Sequence, residues 1–326
     1  MEWKILGGVR FLTSWIAFCL HLKWFLPNDI LVAFSELDSL SALLGYLVIS
    51  GYSIANSLST EPEHFLERRV LSIYPLYAIA VLISLLPFKL LDVHTLNING
   101  LNSFFIEPTP AQIIGNLLLL QGFFVHAIGS NPPLWIMSIE VGFYLLGPLF
   151  LKTNRKVLIS LILLSSLAYI AYPYLQLKGF FFLKHGLSFI FLLWAWLLGF
   201  LYYFNQKKFL ARFGMISLGM VILALHQIHY KHVLSGFTHL FILIVLVFLP
   251  YIKLPESILN IFNYLGELSY PFYLVHVSCL IFSYFFLNIR NSVAMTVITL
   301  LFAALLHHLI DIPLRLQRSA VNQADI

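Results

Sequence analysis

Long apolar runs follow one another along this chain, separated by short polar stretches that carry most of its charge. Ten runs fall at 5–26, 39–58, 70–91, 132–151, 156–175, 183–203, 210–228, 234–252, 264–287 and 292–312. Each is near the roughly 20 residues an α-helix needs to cross the hydrocarbon core. They are apolar on all sides and do not alternate over about ten residues, which predicts helices and disfavours a β-barrel. The expected fold is all-α: a polytopic membrane protein of about ten transmembrane helices, a single domain over 1–326 with no fused soluble domain. The longest connection, 92–131, holds AQIIGNLLLLQGFF. That segment is too short for a crossing and is expected to form an interfacial or re-entrant helix, either covering the mouth of a cavity or sealing the protein against lipid.

Composition agrees with this pattern. The 326 residues are 60% hydrophobic and 10% charged, with a mean hydropathy of +0.90, whereas soluble domains carry about a quarter charged residues. Basic residues set the orientation. With the N-terminus inside, the cytoplasmic set holds twelve: Lys4, Arg68, Arg69, Lys152, Arg155, Lys156, Lys207, Lys208, Arg212, Lys253, Arg315 and Arg318. The opposite set holds six: Lys23, Lys89, Lys178, Lys184, Lys231 and Arg290. Both termini are therefore expected in the cytoplasm, with the protein in the inner (cytoplasmic) membrane. The net charge of +5 is mostly this topological signal and points to no nucleic-acid partner. The first run carries Arg10 and lacks an A-x-A-like site, so it is expected to be retained as a helix. Cys19 and Cys279 lie inside spans as small apolar residues.

Against this background the intramembrane polar residues stand out. Arg10 and His21 are eleven residues apart in the first run. They return to within about 20° of one helix face, some 16 Å apart along its axis. A buried cation on the stripe of a histidine predicts a polar cavity. Ser138 and Glu140 enter the fourth run near its outer end. Glu140 is expected to face the same interior and to meet His21, a carboxylate orienting an imidazole to activate a hydroxyl, or else to form a polar lock between helices. Arg68 and Arg69 emerge on the cytoplasmic side. They suit the phosphates of a donor, although the positive-inside rule alone would place them there. SGYSI puts Ser50 and Tyr52 beside small residues that allow close backbone approach. In GELSYPFYLVHV, Tyr273 and His276 are one turn apart, as in a buried histidine satisfied by a tyrosine. His226, His229 and His232 recur every three residues without a nearby carboxylate, and no metal site is expected. His307 and His308 read as structural, and Asp311 with Arg315 as a helix-end ion pair or part of a donor site.

Together these segments resemble the acyltransferase-3 family of integral membrane O-acyltransferases. The matching motifs are Arg10-x10-His21, SGY at 50–52, RRxxxIYPLY at 68–77, WxxSxExxFYLxxP at 135–148 and LGxxSYxxYLxH at 265–276, in the family's order across most of the chain. The resemblance implies transfer of an acyl group, most often acetyl, from cytoplasmic acyl-coenzyme A (acetyl-CoA or another acyl-CoA) to a hydroxyl of a cell-surface glycan or glycolipid on the far side. It implies His21 as the catalytic histidine with Arg10 its motif partner and Glu140 beside them. Arg68, Arg69, Tyr52 and Ser50 fall to the donor, and Ser138, Trp135, Tyr273 and His276 to the acceptor. Three positions depart from the family pattern: Ser72 stands where a further Arg often follows, Leu44 where Asp is frequent, and Asp311 where Glu usually precedes the last Pro. The lipid bilayer is the remaining partner, and a homo-oligomer is compatible with this reading. An alternative, a proton-coupled transporter or flippase using Arg10, His21 and Glu140 as a relay, would call for inverted repeats or broken helix pairs, and neither stands out.

Overall fold

The structure, a computed structural model, describes residues 2–99, 105–177, 179–230 and 235–316. Twelve α-helices and no strand form among the described residues. In chain order they are α1 (Glu2–Phe25), α2 (Ser39–Thr60), α3 (Phe65–Ile83), α4 (Leu86–Leu91), α5 (Pro110–Leu117), α6 (Trp135–Lys152), α7 (Arg155–Ala171), α8 (Leu187–Asn205), α9 (Phe209–Tyr230), α10 (Ser235–Phe248), α11 (Glu256–Phe285) and α12 (Ser292–Leu306). Eight helical stretches among the described residues are long and apolar enough to cross a membrane, and two shorter apolar ones, Phe209–Ile222 and Gly236–Tyr251, fall where the seventh and eighth runs were expected. A π-helical turn, His307–Asp311, extends the last helix toward its end. The side chains of His226 and His229, and the whole of His232, lie outside the described residues.

Two helix pairs are close enough to be fixed by glycine. A Cβ on Gly51 would lie 1.9 Å from the Trp196 carbonyl oxygen, and one on Gly199 would lie 1.9 Å from that of Val48, so α2 and α8 touch backbone to backbone. Gly7 and Gly266 do the same for α1 and α11, where a Cβ on Gly266 would lie 2.5 Å from Gly7 Cα. Without a hydrophobic drive between helices in lipid, such approach is a principal source of packing energy. Sequence-local signals set the helix ends: Asp38 caps α2 through Leu40 N at 3.0 Å, and Thr109 with Gln112 forms a capping box before Pro110 at the start of α5.

The long connection is more deeply inserted than a surface lid. After the eight-residue α5 the chain folds back between α3 and α6, with Asn116, Gln121, Ser130 and Asn131 fully buried. Each donates to a protein oxygen, while the amide oxygens of Asn116, Gln121 and Asn131 have no partner among the described residues. Gln121 Nε2 donates to Tyr77 Oη and to Leu134 O, both at 2.9 Å, Tyr77 Oη donates to Asn116 O at 2.7 Å, Ser130 Oγ donates to Ser84 O at 2.6 Å, and Asn131 Nδ2 donates to Leu274 O at 2.8 Å. Irregular backbone in an apolar protein is tolerated where protein groups take up its polar atoms. The segment thereby fixes where α6 starts.

Candidate active site

A cavity of about 740 Å³ opens between α1, α2, α3, α6 and α11. From α1 it is lined by Trp3, Gly7, Arg10, Thr13, Ser14, Ala17, Leu20, His21 and Trp24. These recur at the three-to-four spacing of a single helix face over about 30 Å. The stripe holding Arg10 and His21 is thus continuous along the helix.

One end carries two arginines. Arg69 from α3 and Arg315 from beyond the π-turn line it, with Trp3, Ser72, Asn263 and one carboxylate, Glu267, which accepts from Asn263 Nδ2 at 2.9 Å and lies 3.4 Å from His307 Nε2. Arg315 is held by Asp311, which accepts from Nε at 2.9 Å and Nη2 at 2.6 Å, and Asp311 also meets His307 Nδ1 at 3.1 Å. The guanidinium of Arg69 lies 5.7 Å from the centre of the Phe65 ring. Arg68 turns away from the cavity: it donates to the carbonyls of Glu61 and Glu63 and pairs with the Glu61 carboxylate at 3.7 Å. Adjacent helix residues are about 100° apart, so the two arginines cannot serve one site equally.

Midway stand Arg10 and Glu140. Among the described residues Arg10 makes no ion pair, and its buried Nε has no hydrogen-bond partner. Glu140 is 2% exposed. Its Oε1 accepts from Tyr46 Oη at 2.7 Å, from Ser50 Oγ at 3.0 Å and from Tyr144 Oη, three charge-assisted bonds on one oxygen. The carboxylate is therefore fixed against α2, and the meeting with His21 expected from the sequence does not occur.

Among the described residues no arginine lines the other end. Its walls are Trp24, Trp135, Pro132, Pro133 and Phe180–Phe182, with His21 facing in. The partner of His21 is a second histidine: His21 Nδ1 lies 2.8 Å from His276 Nε2. His276 is buried among Phe18, Phe272 and Tyr273, and its Nδ1 lies 2.8 Å from Tyr273 O. Tyr273 lines the cavity, and its hydroxyl donates to Pro133 O at 3.1 Å.

Of the residues selected from the sequence, Arg10, His21, Arg69, Trp135, Glu140 and Tyr273 therefore line one cavity. Ser50 stands behind Glu140, and His276 behind His21. Tyr52 Oη donates to Gln206 at 2.9 Å and Ser138 Oγ to Gln121 O at 2.5 Å, both outside the cavity lining. Tyr46 and Tyr144 were missed, although helical spacing marks both: Tyr144 is four residues after Glu140 and Tyr46 four before Ser50. Arg315 was legible only as half of an ion pair.

These groups provide cations for an anionic substrate at one end, a carboxylate held by hydroxyls in the middle, and an imidazole in an aromatic chamber at the other. The family model described as Acyl_transf_3, acyltransferase domain, matches residues 7–308, from the first turns of α1 into the π-turn. No curated protein and no solved structure matches the chain.

Proposed function

The chain belongs to the acyltransferase-3 family and is a multi-pass membrane acyltransferase, and from that premise we propose that it transfers an acyl group, acetyl in the simplest case, from cytoplasmic acyl-coenzyme A to a hydroxyl of a cell-surface glycan or glycolipid across the membrane. The observation that carries this reading is the cavity whose lining runs from Arg69 and Arg315 to His21. Arg69 is suited to the phosphates of the coenzyme, with Arg10 further in, whose buried Nε has no hydrogen-bond partner among the described residues. The pantetheine arm then lies along the stripe of Gly7, Ser14 and Ala17, where small side chains leave room, and brings the thioester toward His21. Trp135 and Tyr273 flank the chamber in which the acceptor binds.

In the reaction His21 Nε2 takes the proton of the acceptor hydroxyl as its oxygen attacks the thioester carbonyl. The C–O bond forms, the C–S bond breaks, and the departing thiolate takes the proton back to leave free coenzyme A. The thioester is already activated, so the protein's part is positioning and proton transfer, the latter contributing typically about 10²–10⁴-fold. Glu140 balances the charge of Arg10 across the cavity, and Ser50 acts through Glu140.

Purified protein in nanodiscs, supplied with acetyl-coenzyme A and a glycan extract, should release free thiol in proportion to acceptor, and His21→Ala should abolish that release. Acceptor-dependent release unchanged in His21→Ala would remove His21 from the chemistry. No release from folded wild type with several donors and acceptors would overturn the transfer reading.

A further inference from the structure

His276 is fully buried and stands behind His21, off the cavity surface. Both its ring nitrogens are engaged. Nδ1 lies 2.8 Å from Tyr273 O on its own helix, and Nε2 lies 2.8 Å from His21 Nδ1. A carbonyl oxygen only accepts, so the hydrogen of that first bond belongs to His276 Nδ1. In a neutral ring Nε2 is then an acceptor, and the hydrogen between the two rings must come from His21 Nδ1. The reverse assignment would set two lone pairs against each other at 2.8 Å on the Tyr273 side. The network therefore assigns the tautomer of both rings.

From this chain of two bonds we infer that His276 is a positioning residue that holds His21 as its Nδ1–H tautomer, with the Nε2 lone pair presented to the cavity, and that it shares the proton His21 gains during transfer. The inference rests on the reading of His21 as the base. In a nucleophile–histidine–aspartate triad the third member orients the imidazole and stabilises the imidazolium. Here Glu140 is bound to Tyr46, Ser50 and Tyr144, and an imidazole takes the orienting place. When His21 Nε2 accepts the hydroxyl proton, the Nδ1–H bond to His276 Nε2 strengthens, and the bridging proton can sit on either ring without breaking the bond to Tyr273 O. Return of the Nε2 proton to the leaving thiolate restores two neutral rings. The aromatic packing of His276 against Phe18 and Phe272 keeps its plane fixed through the cycle.

Nitrogen-15 spectra of histidine-labelled protein in nanodiscs at neutral pH, with His21→Gln to assign the signals, should show His21 protonated at Nδ1 and bare at Nε2. His276→Ala should lower kcat about 100-fold while the donor KM stays within about twofold. His276→Gln, whose amide oxygen can accept the Nδ1–H bond, should recover about tenfold of that loss. A His21 ring protonated at Nε2, or a folded His276→Ala enzyme with wild-type kcat, would overturn the inference. The wild-type spectrum decides the matter if His276→Ala does not fold. Turnover that is insensitive to His21→Ala would instead remove the base reading itself, whatever the spectrum shows.

Discussion

The two ends of the cavity differ in kind. At the Arg69 end the charged groups come from three separated parts of the chain, Arg69 on α3, Glu267 on α11 and Arg315 after α12, and Asp311 is already committed to Arg315 and His307. At the His21 end no lysine or arginine among the described residues lines the cavity beside the two rings, and the walls are tryptophan, proline and phenylalanine. In the proposed reading one end attracts a multiply charged donor and the other holds a proton in a place of low polarity. A single helix, α1, supplies both through one stripe. Local chemistry in a membrane enzyme is thus set less by which helix a residue sits on than by its depth along the helix.

The largest separation of the two ends is expected in kinetics. His21→Ala should reduce kcat by about 10²–10⁴-fold with little change in donor KM, as expected for loss of a base. Arg69→Gln should do the opposite, raising donor KM by about 10–100-fold through loss of charge-assisted bonds while kcat is largely kept. Steady-state thiol release measures both, and a shared effect on kcat in the two variants would erase the distinction. Arg68→Gln sharpens it further. Because that side chain is tied to Glu61 and Glu63, donor KM should stay within about twofold and stability within about 0.5 kcal/mol of wild type, read by thermal melting.

The smallest effect lies outside the cavity. Hydrogen bonds from Lys89 and then from His94 hold the Glu107 carboxyl below its ordinary range. A carboxyl depressed in the folded state contributes stability above its unfolded pKa, and this is lost as pH falls through the folded value. Glu107→Gln should therefore melt slightly below wild type at neutral pH, and the two curves should converge as the medium is acidified through the carboxylate range. The site is exposed, so its effect should fall well short of those at either end of the cavity.

Much of this arrangement is legible in the amino-acid sequence. Among the described residues eight of the ten apolar runs coincide with helical stretches long and apolar enough to cross a bilayer, and the seventh and eighth fall on two shorter apolar helices, because length and hydropathy are both written in the sequence. The Arg10–His21 stripe followed from the helical period. The small residues of SGY marked a backbone contact, now seen between Gly51 and Trp196. The side-chain partners were not legible. His21 and His276 are 255 residues apart, and nothing in either segment distinguishes a second histidine from a carboxylate as the partner. Glu140 is at a depth set by the buried segment 116–131, whose insertion depends on hydrogen bonds from Gln121 and Asn131 to distant carbonyls. The divergence of Arg68 from Arg69 could have been read: Arg69 shares a face with Ser72 and Ile73, three and four residues on, and all three line the cavity.

The most direct test puts the two substrates on opposite sides of a sealed membrane. Protein reconstituted in one orientation, with acyl-coenzyme A supplied only at the Arg69 face and acceptor only at the His21 face, should form acylated acceptor at the His21 face and free thiol at the Arg69 face, and His21→Ala should stop both. If vesicles that acylate acceptor with both substrates on one side form none in the crossed arrangement, the cavity does not connect donor to acceptor and the reading of its two ends is wrong.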